Sequence, residues 1–358
     1  MVIAPLRAWI IKKKSTLGPI AGAVAVFWTI SRLRAHLTAS SNSTNLPSPR
    51  FALPYFAAIV FGSSSVNKRL PDMSNQAEKL VDILATGNNI DPYQHLLRFV
   101  LDDMMFSCFG KRTTSINDPL FKQANHLVEC IRETTKIKHI ANQYLPALSF
   151  ISFLLGHEKA FAEHAETRDT WVLESMMEAY KDGKECVATA LMKAVDAGEI
   201  DEISAVVSLS DIIAGGTETT VVTMTWAVGI LSAKPDVQRK IQQEIDHFIE
   251  THKRMPMFTD REHFPYMIAV QKECMRFRPA TTLGVPHEAA EDIVWQNKII
   301  PKGAIIVSNM VAMHMNPEVY PEPCAFRPER FLDKTETFTA SAKSKIEDRD
   351  QYNFGWGR

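Results

Sequence analysis

The stretch ISAVVSLSDIIAGGTETTVVTMTWAVGILSA, residues 203–233, decides the fold. It carries only two charges, Asp211 and Glu218, and its apolar side chains fall on most faces of a helix. A helix of that kind is expected to run buried through the middle of a domain. Lys234-Pro235 closes it, because proline restricts the residue before it and cannot continue the backbone ladder. Outward from this centre the apolar spacing stays helical. PYQHLLRFVLDDMMFSCF (92–109), DPLFKQANHLVECIRETTKI (118–137) and KPDVQRKIQQEIDHFIETH (234–252) each place apolar residues three or four apart. Strand character enters only in EDIVWQNKIIPKGAIIV (291–307), where two β-rich runs flank Pro301-Lys302-Gly303 and predict a hairpin. The expected class is mainly α with a small β element (α+β).

Inside the central helix lies AGGTETT (214–220). Each of Gly215 and Gly216 costs about 1 kcal/mol in a helix relative to alanine, so something should compensate. Without a Cβ, a flat ligand or another backbone can lie directly against the helix, and the helix can open locally. Glu218, Thr219 and Thr220 follow at once, and a buried carboxylate is expensive unless paired. Two readings stand. In one, a ligand presses on the glycines while an acid and an alcohol pass protons. In the other, the glycines serve helix packing and the threonines bond back to the preceding turn.

KECMRFRP (272–279) places Glu273 and Arg276 on one face of a helix that ends before Pro279. As a motif this spacing is nearly uninformative: Glu129-Cys-Ile-Arg132 repeats it, and such pairs are mostly solvated. The pair at 273 differs by following the apolar run PYMIAV (265–270), which carries it toward the core. A buried ion pair needs further partners to offset desolvation. FRPERF (326–331), in a proline-rich and irregular crossing, offers Arg330 as a third member.

The 358 residues, 46% apolar and 23% charged, can build a sizeable core, and a net charge of −1 gives no bulk attraction to nucleic acid. Cysteines 108, 130, 186, 274 and 324 form neither a CxxC pair nor an even framework and read as reduced thiols. The eleven histidines show no zinc-type pairing. Near the N-terminus, Lys12-Lys13-Lys14 precedes the apolar run LGPIAGAVAVFWTIS (17–31). That run is shorter than the about 20 residues of a bilayer-spanning helix. A membrane anchor, a cleaved signal and a buried or interfacial segment are its three readings, the cysteine usage arguing against export. The Ser/Asn/Pro-rich stretch 38–50 then acts as a linker, so that residues 1–50 precede a domain of residues 51–358.

AGGTETT, KECMRFRP, FRPERF and FGWGR, in this order, resemble the cytochrome P-450 haem-thiolate monooxygenases, especially the fungal microsomal type. The likeness covers residues 187–358 well and about 91–180 loosely. It implies the P-450 fold, incomplete at the N-terminal β region and at the C-terminal haem loop. It implies haem b as cofactor, with Gly215 and Gly216 facing it and Glu218 and Thr219 delivering protons for oxygen activation. By the same resemblance Glu273, Arg276 and Arg330 form a structural triad, and His287 sits where the family contacts a haem propionate. Phe354, Gly355 and Gly357 would begin the haem loop, and the family's ligand cysteine would be the third residue beyond Arg358. None of the five cysteines present is carried over as ligand, and Trp28-Arg32, a WxxxR in the wrong place, is not carried over either. The implied activity is insertion of one oxygen atom from O2 into an apolar small molecule, with electrons from NADPH through NADPH–cytochrome P-450 reductase. The implied location is the cytosolic face of the endoplasmic reticulum membrane, with no nucleic-acid partner. A haem-less, inactive remnant with at most a binding or scaffolding role is the alternative.

Overall fold

The computed structural model describes residues 63–86, 90–134, 157–334 and 336–355. The apolar run 17–31, the linker, the boundary at residue 50, Gly357 and Arg358 lie outside them.

Among the described residues seven helices come first: α1 Ser63–Thr86, α2 Pro92–Phe109, α3 Pro119–Thr134, α4 His157–Lys181, α5 Val187–Asp196, α6 Glu202–Ser232 and α7 Pro235–His252. After a 3-10 turn at Phe258–His263 comes α8, Pro265–Phe277. The short strands β1 His287–Glu288, β2 Ile293–Trp295, β3 Lys298–Ile300 and β4 Ile305–Ile306 follow. Helix α9 (Met310–His314), a 3-10 turn at Pro328–Phe331, helix α10 (Phe338–Lys343) and a 3-10 turn at Ile346–Asp348 complete the order.

Local chemistry sets the boundaries. Asp91 caps α2, its carboxylate accepting from the Tyr93 N–H at 3.0 Å, with Pro92 preset in the first turn. Gly110 ends that helix at φ 65°, a left-handed position glycine takes without cost. Asp201 caps α6 by accepting from the Ser204 N–H at 2.6 Å. The α8 N-terminus is capped from another element: the Glu244 carboxylate of α7 accepts from the Tyr266 and Met267 N–H groups at 2.7 and 2.9 Å.

The main core joins α2, α3, α4, α5 and the first half of α6, through Leu101, Met105, Phe109, Val172, Met176, Leu191, Leu209 and Ile213. A second cluster joins the end of α6 to α7 and α8 through Ile230, Val237, Tyr266, Val270 and Cys274. A third ties Ala269 of α8 to Tyr320, Phe331 and Tyr352. The arrangement is the mainly α class with a small β element.

Two expectations are corrected. The hairpin is β2–β3, paired antiparallel with Trp295 opposite Lys298, and its turn is Gln296-Asn297. Both turn residues take positive φ (48° and 60°), the geometry that matches strand twist in a two-residue loop. Pro301-Lys302-Gly303 instead leads from β3 into β4, which pairs with β1. Helix α6 is also not buried all round. Residues 204–213 are largely enclosed, but Gly215, Thr219, Thr220, Trp226 and Val228 are exposed along its second half. By length and composition α6 could cross a bilayer, yet half of its apolar window is packed inside the protein, as expected of a core helix.

Candidate functional site

The AGGTETT segment stays continuous α-helix, without a bulge. Its two glycines do different work. A Cβ on Gly216 would fall 2.4 Å from Met104 Sδ, so this glycine lets α2 approach α6. A Cβ on Gly215 would meet nothing within 4 Å, so its bare backbone opens onto an unfilled side of the helix. On that side the Thr219 hydroxyl donates to the Gly215 carbonyl at 2.7 Å, and Thr223 donates likewise to Thr219 at 2.8 Å. These bonds satisfy the hydroxyls within the helix, as the packing reading requires. They leave unexplained why a glycine and two threonines face outward from an otherwise apolar core helix. Glu218 is half-buried, and desolvation raises its carboxyl pKa, with Arg132 of α3 opposing the shift. Thr217, between Gly216 and Glu218, is fully buried, and its hydroxyl has no hydrogen-bond partner among the described residues.

The α8 helix brings together a charged network. Glu273 and Arg276 are both fully buried and meet in a bidentate pair, Nε to Oε2 at 2.7 Å and Nη2 to Oε1 at 2.8 Å. Arg330 Nε lies 3.2 Å from Glu273 Oε2, and the Arg327 backbone N–H donates to Oε1 at 2.7 Å. The remaining Arg276 donors reach the carbonyls of His314 and Pro323, each at 2.9 Å, and Ala325 at 3.3 Å. Arg330 reaches the carbonyls of Pro321, Glu322 and Ala325 at 2.9, 3.3 and 3.3 Å. The crossing segment 314–330 has little regular structure, so these guanidinium groups satisfy carbonyls that no helix or sheet would. The second Glu-x-x-Arg copy behaves differently: Glu129 and Arg132 sit 3.7 Å apart and half exposed.

The remaining candidates lie on other segments. His287 is exposed on β1, with Ile306 as its register partner. Phe354 is half exposed and packs edge-on against Phe338 at 5.7 Å. Gly355 takes φ 78°, with open space where a Cβ would be, and its carbonyl accepts from Arg349 at 2.5 Å.

Residues outside the sequence reading prove as well placed. Lys272, next to Glu273, is fully buried and donates to Asp350 Oδ2 at 2.5 Å and to the carbonyls of Lys334 and Glu336 at 2.7 and 3.0 Å. Its sequence signal was a lysine at the end of an apolar run, one residue before the glutamate. His314 is fully buried too, its Nε2 facing the Tyr352 N–H at 3.4 Å. Burial and the neighbouring Arg276 charge push its pKa down to about 4.

As a fit for haem, the open α6 face suits a flat macrocycle, since Gly215 offers backbone with space beyond it. No cysteine is assigned as axial ligand. Cys108, Cys130 and Cys274 are buried within α2, α3 and α8, Cys186 precedes α5, and Cys324 is exposed in the crossing segment.

The cytochrome P450 family model matches residues 51–358. Cytochrome P450 monooxygenase 231 of Postia placenta is 38% identical over 149 residues, covering 42% of this chain and 26% of that protein. Cytochrome P450 98A1 of Sorghum bicolor is 30% identical over 262 residues, 70% of this chain and 50% of its own. Cytochrome P450 monooxygenase pgmC of Aspergillus terreus is 29% identical over 298 residues, 81% of this chain and 53% of its own. The chain thus spans from about a quarter to about half the length of these relatives. A zebra fish cytochrome P450 structure with progesterone superposes with a TM-score of 0.69 at 24% identity, over 88% of this chain and 70% of that one. The fold, the order of the motifs and the match over residues 51–358 make this chain a member of the cytochrome P450 family.

Proposed function

We propose that the protein is a haem-dependent monooxygenase that inserts one atom of O2 into an apolar small molecule, drawing electrons from NADPH through a separate reductase. The observation that carries this reading is the open face of α6, where Gly215 and Thr219 are exposed directly after the enclosed stretch 204–213 and no atom lies within 4 Å of a Cβ at Gly215. Bound haem would supply the redox centre for O2 chemistry. In this reading Gly215 would give the macrocycle its close approach, whereas Gly216, expected from the sequence to face the cofactor too, is taken up by the contact with Met104 of α2. His287 would hold a propionate, and Phe354, Gly355 and Gly357 would begin the haem-binding loop. Thr219 holds a proton at Oγ1, beside the face and anchored to the Gly215 carbonyl. Glu218, its carboxyl raised by burial, keeps a proton closer to neutral pH than an exposed glutamate does. In this reading Glu218 and Thr219 would each deliver protons for oxygen activation, the role the family resemblance gives them. The Glu273–Arg276–Arg330 network holds the crossing segment in place behind the site. Residues 17–31 serve as anchor to the endoplasmic reticulum membrane, and 51–358 as the catalytic domain on its cytosolic side.

The test is a pair of substitutions. At Gly215→Leu the new Cβ meets nothing within 4 Å among the described residues, so the apoprotein should be as stable as the parent or firmer by about 0.5–1 kcal/mol, the helix cost of glycine. Its titration with hemin, followed at the Soret band, should show affinity lowered by about tenfold or more. Unchanged hemin binding would refute the assignment of the α6 face. In the haem-loaded enzyme, Thr219→Ala should raise peroxide released per NADPH consumed, whereas an unchanged ratio would remove Thr219 from proton delivery.

A further inference from the structure

The Glu273 network accounts for the chain from His314 to Arg330, but not for how the segment leading into Phe354 finds its place. Lys272 supplies that link. Its ammonium is fully buried, and its three hydrogen bonds go to Lys334 O, Glu336 O and Asp350 Oδ2. The first two acceptors lie where the chain leaves α8's surroundings, and the third where it returns. Between them is an excursion that includes α10 (Phe338–Lys343). One ammonium therefore closes both ends of this excursion at its base.

The return strand is then fixed residue by residue. Asp350 also accepts a hydrogen bond from Ser341, and its carbonyl accepts from the Tyr320 hydroxyl at 3.2 Å. Gln351 Nε2 donates to the Lys272 carbonyl at 2.8 Å. The Tyr352 N–H faces His314 Nε2 at 3.4 Å, and Asn353 Nδ2 donates to the Met275 carbonyl at 3.2 Å. Phe354 and Gly355 follow at once.

We propose that the buried Lys272–Asp350 pair is a clasp that positions the glycine loop beginning at Phe354, so that Lys272 acts as a positioning residue for the cofactor loop. Its acceptors explain why a lysine is buried there. A salt bridge alone would use one donor, and a mere space-filler none. Two consecutive residues of α8 divide the work, Glu273 holding the crossing segment and Lys272 the excursion and the loop's approach. The link to a cofactor rests on the haem reading above; the clasp itself does not.

Two variants of the full chain test this, with amide hydrogen exchange as the first readout. Asp350→Asn keeps the side chain's shape but removes the carboxylate; Lys272→Met removes all three donors. Exchange at residues 351–355 should speed up by about tenfold or more in each, since tenfold corresponds to about 1.4 kcal/mol of local opening. Exchange in α2 and α6 should stay within about twofold. The double variant should be little worse than the more affected single one, as expected of coupled partners. The second readout is hemin titration at the Soret band, in which Asp350→Asn should bind more weakly than the parent by about tenfold, with the band shifted in position.

Unchanged exchange at 351–355, acceleration spread equally over the core helices, or outright unfolding of Asp350→Asn would each overturn the clasp. So would selective loosening with hemin affinity and Soret position untouched, because the loop's place would then not depend on it. If the parent itself takes up no hemin, the haem reading falls, and the exchange pattern still decides the clasp.

Discussion

Glu273 shows how much one residue can hold. It accepts from Arg276, Arg330 and the Arg327 backbone while wholly out of water. Its removal leaves two guanidinium groups, Arg276 and Arg330, short of their counter-charge inside the protein, a loss of about 3–5 kcal/mol for a broken buried pair. Glu273→Ala should therefore be largely insoluble, or show an unfolding free energy in urea lower by that amount; a variant that melts like the parent would contradict the network's role. His314 makes a second prediction at this scale. In the unfolded chain its imidazole takes a proton near pH 6.5, whereas in the fold it resists until about 4. Between those values the unfolded state binds more protons, so stability rises with pH across the window and falls on acidification through it. Urea midpoints at pH 4.5 and 7 should differ in the parent and converge in His314→Phe. An equal difference in both would assign the acid sensitivity elsewhere.

Helix α6 carries the prediction at the scale of the element. Adjacent glycines face different surroundings, Gly216 against Met104 and Gly215 against open space. Identical leucine substitutions should therefore diverge. Gly216→Leu should lose about 1–3 kcal/mol through overpacking and regain part of it when Met104 is cut to Ala. Gly215→Leu should lose none. Equal losses by denaturant unfolding would contradict the two-faced description. How much of an element shows in sequence depends on whether its partners are local. The bounds of α2 and α7 were legible, because Asp91-Pro92 and Lys234-Pro235 fix their starts through neighbouring backbone. The hairpin was legible but its turn was not. Pro301-Lys302-Gly303 is the louder signal, while Gln296-Asn297 enters positive φ without a glycine to announce it. The open side of α6 was illegible for a different reason. An apolar helix looks the same whether its neighbour is protein or a flat apolar ligand.

Across the whole molecule, α8 is the organising element. Its N-terminus is capped by α7, its apolar side meets α6 and α7, and its polar side gathers the chain from His314 to Asn353. The class, mainly α with a small β element, could be read from periodicity, and Glu273, Arg276 and Arg330 do meet in space. Lys272 and Asp350 could not be paired in advance, because they are 78 positions apart and nothing local marks either one. The same geometry explains why the segment 314–353 can dispense with long helices: buried side chains of α8 and its surroundings accept or donate what regular structure would otherwise supply.

In the proposed reading a haem sits on the Gly215–Thr219 side of α6. The most direct measurement is the haem content of the protein purified from its natural source, by pyridine haemochrome assay. The expected result is one haem per chain. Protein that is folded but free of haem would overturn the haem reading.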